Sequence, residues 1–94
     1  MVAIIPNQYL VKGTVMAIRR DPDVKDNWLI DLKLEYVKVI KGPREFLNNT
    51  TKQICLSMAP NDAGKMVKGI KLQCMVKRNR ENFIVLEDSV SLEN

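Results

Sequence analysis

An alternation of apolar and polar residues along residues 27–42 constrains the fold of this chain more than any other feature of its sequence. Apolar residues take one face of an extended strand and charged residues take the other, namely Trp28, Ile30, Leu32 and Leu34 against Asp31, Lys33 and Glu35. After Tyr36 the phase slips by one residue, since Val37 and Val39 now hold the apolar positions. Such a slip is typical of a β-bulge, which bends a strand. The sequence therefore predicts a strand bent in the way that a barrel requires.

Four further segments have the composition of strands. The first, Gln8–Arg20, is rich in Tyr, Leu, Val, Thr and Ile, but it contains Gly13, which weakens a strand unless the strand must kink or admit a neighbour closely. Lys52–Met58 is the third strand in chain order. Residues 69–77 alternate as a fourth, and Phe83–Leu86 is the fifth.

Turn-forming residues separate these strands, at 21–27, 42–43, 60–62 and 78–82. Residues 44–51 are a polar connection in which we expect one short helical turn, and an acidic tail follows from about residue 87. No internal repeat or low-complexity linker divides the chain, so residues 1–94 are expected to form a single domain around one core.

Five strands, with the first two long and bent and a larger gap before the fourth, favour an all-β fold of the OB type, a five-stranded Greek-key barrel. A small sandwich is the competing architecture, but bent strands favour closure into a barrel. In an OB barrel the third strand pairs with the fifth and the fourth with the first. Cys55 and Cys74 should then lie on strands that are not neighbours and remain unbridged thiols.

Three segments carry a resemblance to a known family. Val11–Val15 contains a Gly-x-Val strand, Leu32–Pro43 ends in Val-x-Lys-Gly, and Val67–Leu72 has a Val-x-Gly entry into the fourth strand. In this order they resemble the netrin-like and tissue-inhibitor-of-metalloproteinase branch of OB folds, and the resemblance implies an OB barrel. Inhibitors of that branch bind the protease metal through an amino-terminal cysteine. This chain begins Met1-Val2, so metalloproteinase inhibition is not implied.

The sequence contains little that could support catalysis. It has no histidine, which removes Ser-His-Asp and Cys-His arrangements and most zinc sites. It also lacks the glycine-rich motifs that bind phosphates. Asp21, Asp23 and Asp26 share one loop, but the glycine and the distal glutamate of a calcium loop are missing. We therefore expect a binding module with no enzymatic activity, no metal and no cofactor.

The distribution of charge points to one class of ligand. The net charge is +4, yet residues 65–80 carry six basic and no acidic side chains, while residues 81–94 carry four acidic and no basic ones. The loops that join strands one to two and four to five flank the binding face of an OB barrel. Both loops are basic here. The candidate contacts to phosphate are Arg19, Arg20, Lys25, Lys77, Arg78 and Arg80, and the candidate base-stacking rings are Trp28 and Tyr36.

This pattern leads to two hypotheses for function. The first is binding of single-stranded nucleic acid, and the second is a protein-interaction or assembly module, which should expose an apolar patch or an unpaired strand edge. The basic run is equally typical of a solvated face. Trp28 lies on the same face of the predicted strand as Ile30, so its ring fits burial in the core as well as stacking on a base. A membrane partner is not expected, because no apolar run approaches the length of a spanning helix. Met1–Pro6 lacks a basic n-region and a cleavage-like site, so a cytoplasmic location is expected unless a leader was removed.

Overall fold

The computed structural model describes residues 6–79 and 82–93, which form six strands and one short helix. The elements are β1 (Gln8–Arg20), β2 (Trp28–Lys41), β3 (Gln53–Met58), α1 (Pro60–Ala63), β4 (Lys71–Asn79), β5 (Asn82–Val85) and β6 (Ser91–Glu93). The five predicted strands are confirmed to within two residues at each end. Strand β6 was not predicted and lies inside the acidic tail.

The sheet closes into a five-stranded barrel. The strand order is β1-β2-β3-β5-β4, and β4 pairs back onto β1. Pairing of β3 with β5 is parallel, and the other pairings are antiparallel. This is the predicted all-β barrel, with the predicted pairings of the third strand with the fifth and of the fourth with the first. Cys55 on β3 and Cys74 on β4 are unbridged thiols on strands that are not neighbours, as expected.

Bulges bend the two long strands at defined places. Gly13 lies opposite Leu34 and Lys12 lies opposite Tyr36, so Glu35 is an extra residue on β2. The predicted slip of phase is this bulge. Two similar shifts follow at Ile40 on β2 and at Met16 on β1. Because each bulge increases local twist, the long strands can pass around the barrel.

Gly13 marks the closest approach between the two long strands. A Cβ atom at this position would lie 2.3 Å from the carbonyl oxygen of Lys33 and 2.9 Å from Cγ of Leu32. No side chain fits at that distance without a shift of the β2 backbone. The close neighbour that the sequence predicted for this glycine is therefore present.

The core fills the barrel with apolar side chains from all five of its strands. Its fully buried members include Tyr9, Val11, Val15, Ile30, Leu32, Leu56, Met58, Leu72, Cys74 and Val76. Leu47, from the connection after β2, is also fully buried, and Met66, after α1, is nearly so. Tyr9 keeps its hydroxyl satisfied in this position, because the hydroxyl donates a hydrogen bond to the carbonyl oxygen of Pro43 at 2.6 Å.

The position predicted for the short helical turn was wrong. Residues 44–51 form turns, in which the Asn48 side chain donates to the Arg44 carbonyl at 2.8 Å and accepts from the Thr50 backbone N–H at 2.9 Å. These side-chain bonds replace those of a helix. The helix is α1, where Pro60 supplies a fixed φ at the first position. No helix among the described residues is long and apolar enough to cross a membrane.

Gly13→Ala tests the close approach of β1 and β2. We expect it to lower the free energy of unfolding by about 1–3 kcal/mol, because the methyl group must displace packed backbone. Gly64→Ala is the matched control, since Gly64 has helical φ (−63°) and its Cβ would lie 3.4 Å from the nearest atom. That variant should be unchanged or more stable by up to about 1 kcal/mol. Urea unfolding followed by circular dichroism measures both, and equal stabilities would contradict the role given to Gly13.

Candidate functional site

Two predicted site residues meet at the start of β2. The guanidinium of Arg20, the last residue of β1, lies over the indole of Trp28 with 4.8 Å between its Cζ and the ring centroid. Trp28 is half-buried and packs against the core. Arg20 and Trp28 are paired residues of the β1–β2 ladder, so the register itself brings them together. The indole therefore already has a cationic partner within the protein.

Arg19 has a different partner. Its Nη2 donates to Oδ1 of Asp31 at 3.2 Å and lies 3.6 Å from Sγ of Cys55. The Arg19 side chain remains 58% exposed, so the pair is a surface ion pair that contributes little to stability. Burial, and then the nearby Asp31, raise the pKa of the Cys55 thiol, which therefore stays protonated at neutral pH. The positive charge of Arg19 is balanced locally.

The loop between β1 and β2 is held by a buried carboxylate. Oδ2 of Asp21 accepts from the Ser57 hydroxyl at 2.6 Å, and Oδ1 accepts from the backbone N–H of Asp23 at 2.9 Å and of Val24 at 3.2 Å. The Ser57 hydroxyl also accepts from the Asn27 side chain at 3.1 Å. Among the described residues no group of acidic side chains is arranged to hold a metal ion. Asp21 instead orders the loop, a role that the Asp-Pro-Asp turn signal could have indicated.

The predicted basic run on β4 divides between two surfaces. Lys77 is exposed on the outer face of the strand. Arg78 turns toward the connection after β2, with its Cζ 4.8 Å from the ring centroid of Phe46. Its backbone N–H also donates to the Asn7 side chain at 2.6 Å. Lys25 is exposed in the β1–β2 loop, and Arg80 lies outside the described residues.

The register assembles a basic surface that the sequence analysis missed. Residues directly opposite in antiparallel strands point to the same face, and here that face is the outside of β4, β1 and β2. Each row across this face has one residue from β4, one from β1 and one from β2. In that order, the rows are Lys71, Thr14 and Lys33; Gln73, Lys12 and Tyr36; and Met75, Leu10 and Lys38, with Lys41 and Lys77 beyond them. The residues between these positions, such as Val11 and Leu72, are buried. We call this surface the lysine face, after Lys12, Lys33, Lys38, Lys41, Lys71 and Lys77.

Two carboxylates adjoin the lysine face. Glu93 on β6 lies directly opposite Lys71 on β4 and is exposed. Glu35, the bulge residue, accepts a hydrogen bond from the Thr14 hydroxyl at 2.7 Å and another from Nζ of Lys71 at 3.3 Å. The bond from Thr14, followed by that from Lys71, lowers the pKa of Glu35. This carboxylate is therefore ionised at neutral pH, and it leaves a positive excess on a face that carries six lysines.

Tyr36 stands in the middle of this face. Its side chain is 42% exposed, and Nζ of Lys12 lies 5.8 Å from its ring centroid. Of the two predicted stacking rings, Tyr36 is the more accessible, because Trp28 is partly buried under Arg20. The structure thus joins Tyr36 to lysines that the sequence analysis had not assigned to it.

A groove of about 400 Å³ opens beside Tyr36. It lies between β2 and the connection that follows β2, and its lining residues are Tyr36, Val37, Lys38, Val39, Arg44, Asn48 and Asn49. Asn49 fixes the two walls to each other, because its side-chain oxygen accepts from the Val37 backbone N–H at 3.0 Å.

Comparisons with protein-family models, curated proteins and solved structures find no match for this chain. We therefore infer its function from the geometry of its surfaces.

Asp21→Asn tests the hydrogen bonds that hold the β1–β2 loop. The bond from Ser57, followed by the bonds from Asp23 and Val24, lowers the pKa of Asp21 below its ordinary value. The ionised carboxylate therefore makes its full contribution to stability at pH values above the pKa of Asp21 in the unfolded chain, which is near 3.9. This contribution is lost as the pH falls through the pKa of Asp21 in the folded protein. Asp21→Asn should lower the free energy of unfolding by about 1–3 kcal/mol at pH 7 and by progressively less toward pH 2.

Urea unfolding between pH 2 and pH 8 measures this difference. Asp23→Asn is the control, because Asp23 is exposed in the same loop. A cost for Asp21→Asn that does not change with pH would contradict the assignment.

Proposed function

We propose that this domain is a non-catalytic module that binds single-stranded nucleic acid, with the lysine face as its phosphate-binding surface. The observation that carries the proposal is the gathering of six lysines from three strands around an exposed tyrosine, where the lysines outnumber the carboxylates of Glu35 and Glu93. The charge pattern of the sequence predicts phosphate contacts on the loops. The geometry favours the outer face of β4, β1 and β2.

The chemistry of the lysine face suits a polyanion. Each lysine that neutralises a phosphate releases condensed counterions, which makes binding strong at low salt and independent of sequence. Lysine is a compact charge on a flexible stem, so an array of lysines can follow a backbone of variable geometry. Positions two apart along one strand are about 6.6 Å apart, and neighbouring strands are about 4.8 Å apart. The charges therefore form a surface rather than a single pocket.

An exposed aromatic ring within such a surface favours a single strand. Unpaired bases offer their π-faces, and stacking of one base on an aromatic side chain contributes about 1–3 kcal/mol. Tyr36 is the exposed ring of the lysine face.

A protein-interaction module is the second candidate, and one observation favours it. Residues 17–20 of β1 pair with β2. The pairing of β1 with β4 ends before them, at Thr14. Such an edge could accept an added strand. Arg19 and Arg20 lie on this edge, and charged side chains are a common means of preventing edge pairing. The exposed large apolar side chains Met16, Val24, Ile40 and Val67 belong to four different segments.

Replacing lysines of the face tests the proposal. The triple variant Lys33→Gln, Lys71→Gln and Lys77→Gln should weaken binding of a fluorescent oligothymidylate and reduce the slope of log K against log salt by about 2, at about 0.7 per lost phosphate contact. Fluorescence anisotropy between about 50 and 200 mM salt measures both quantities.

The matched control is Lys52→Gln, Lys65→Gln and Lys68→Gln, which makes the same change in net charge at three exposed lysines outside the face. It should retain most of the affinity. Equal losses in the two triple variants would show that only net charge matters, and no binding by the unmodified chain at low salt would refute the proposal.

A further inference from the structure

We infer that the groove beside Tyr36 is a nucleotide subsite, in which one unpaired base stacks on Tyr36 while its phosphate contacts Lys38 and Arg44. This inference rests on the proposed function and deepens it. It assigns a recognition role to the connection after β2, a segment that the sequence analysis treated as a polar linker.

The size and the charge of the groove fit a nucleotide. Its volume of about 400 Å³ lies within the range of small-molecule sites. Two exposed cations, Lys38 and Arg44, line it together with the exposed Tyr36. An aromatic surface next to cations offers one partner for a base and another for a phosphate.

The walls of the groove are held in place by the fold. On one side β2 is part of the barrel ladder. On the other side, Leu47 anchors the connection in the core, the Tyr9 hydroxyl donates to the Pro43 carbonyl, and Phe46 packs under Arg78. Asn49 joins the two sides through Val37. A preformed groove requires little ordering when a ligand enters, which favours binding.

The asparagine side chains of the groove are engaged within the protein. The Asn48 carboxamide is already bonded within the connection, through its nitrogen to Arg44 and through its oxygen to Thr50. The Asn49 oxygen is used by Val37. Each of these amide oxygens thus already accepts at least one hydrogen bond within the protein, and stacking does not depend on base identity. We expect the subsite to accept any unpaired base and to exclude paired bases, whose faces are covered within a duplex.

Tyr36→Thr tests the subsite, since threonine retains strand propensity at this position. It should weaken binding of oligothymidylate roughly five- to 150-fold, the equivalent of the loss of one stacked base. The slope of affinity against salt should not change, because no phosphate contact is removed. Ile40→Thr is the control, since Ile40 is 45% exposed on the same strand and lies outside the groove lining.

A second probe separates stacking from backbone contact. An abasic oligonucleotide of the same length should bind the unmodified chain and the Tyr36→Thr variant equally, because it has no base to stack. Arg44→Gln should weaken both probes and lower the salt slope by about 0.7. A Tyr36→Thr variant that binds oligothymidylate like the unmodified chain would overturn the subsite.

The same data distinguish failure of the subsite from failure of the proposed function. If the lysine-face triple variant weakens binding and Tyr36→Thr does not, the lysine face stands and the subsite is wrong. If the unmodified chain binds neither probe at low salt, both are wrong.

Discussion

The passage of β2 across Gly13 is the contact on which the rest of the barrel depends. The Lys33 carbonyl lies so close to this glycine that a side chain of any size would separate the two strands. Strand β1 must pair with β2 on one side and with β4 on the other for the barrel to close. At the same point Glu35 bulges out of β2, and the twist of the bulge turns the strand around the core. Closure therefore depends on the glycine and on the bulge together.

The bulge also creates the candidate site. Without an extra residue, strict alternation from Leu34 would turn Tyr36 inward and Val37 outward. With Glu35 inserted, Val37 enters the core and Tyr36 faces solvent opposite Lys12. The inserted residue places its carboxylate between Thr14 and Lys71, where it holds one of the lysines of the face. One irregularity in the ladder therefore supplies the bend, the exposed ring and one carboxylate of the face.

Arginine and lysine have different roles in this domain. Arg19 contacts a carboxylate, while Arg20 and Arg78 lie over aromatic rings, and these planar, weakly hydrated groups suit such contacts. The lysines of the face project from strands into solvent, and Lys71, which binds Glu35, is still 56% exposed. The sequence predicts phosphate contacts mainly at arginines, because these arginines lie in or beside the two basic loops. Arg19, Arg20 and Arg78 are engaged with other side chains of the protein, whereas the lysines present their charge outward.

The sequence by itself predicted the five barrel strands, a bend near Tyr36 and Val37, the close approach at Gly13 and the barrel class, because each of these follows from a local period or from a local backbone preference. It also identified Tyr36 as a candidate ring. Tertiary structure alone decided which lysines share a face, since Lys12, Lys33 and Lys71 become neighbours only through the register of strands far apart in the chain. It likewise decided the partner of Arg78, the place of β6 beside β4 and the groove behind Tyr36. Side-chain periodicity gives the face that a residue occupies on its own strand, but its neighbours across the sheet depend on non-local pairing, which no local pattern specifies.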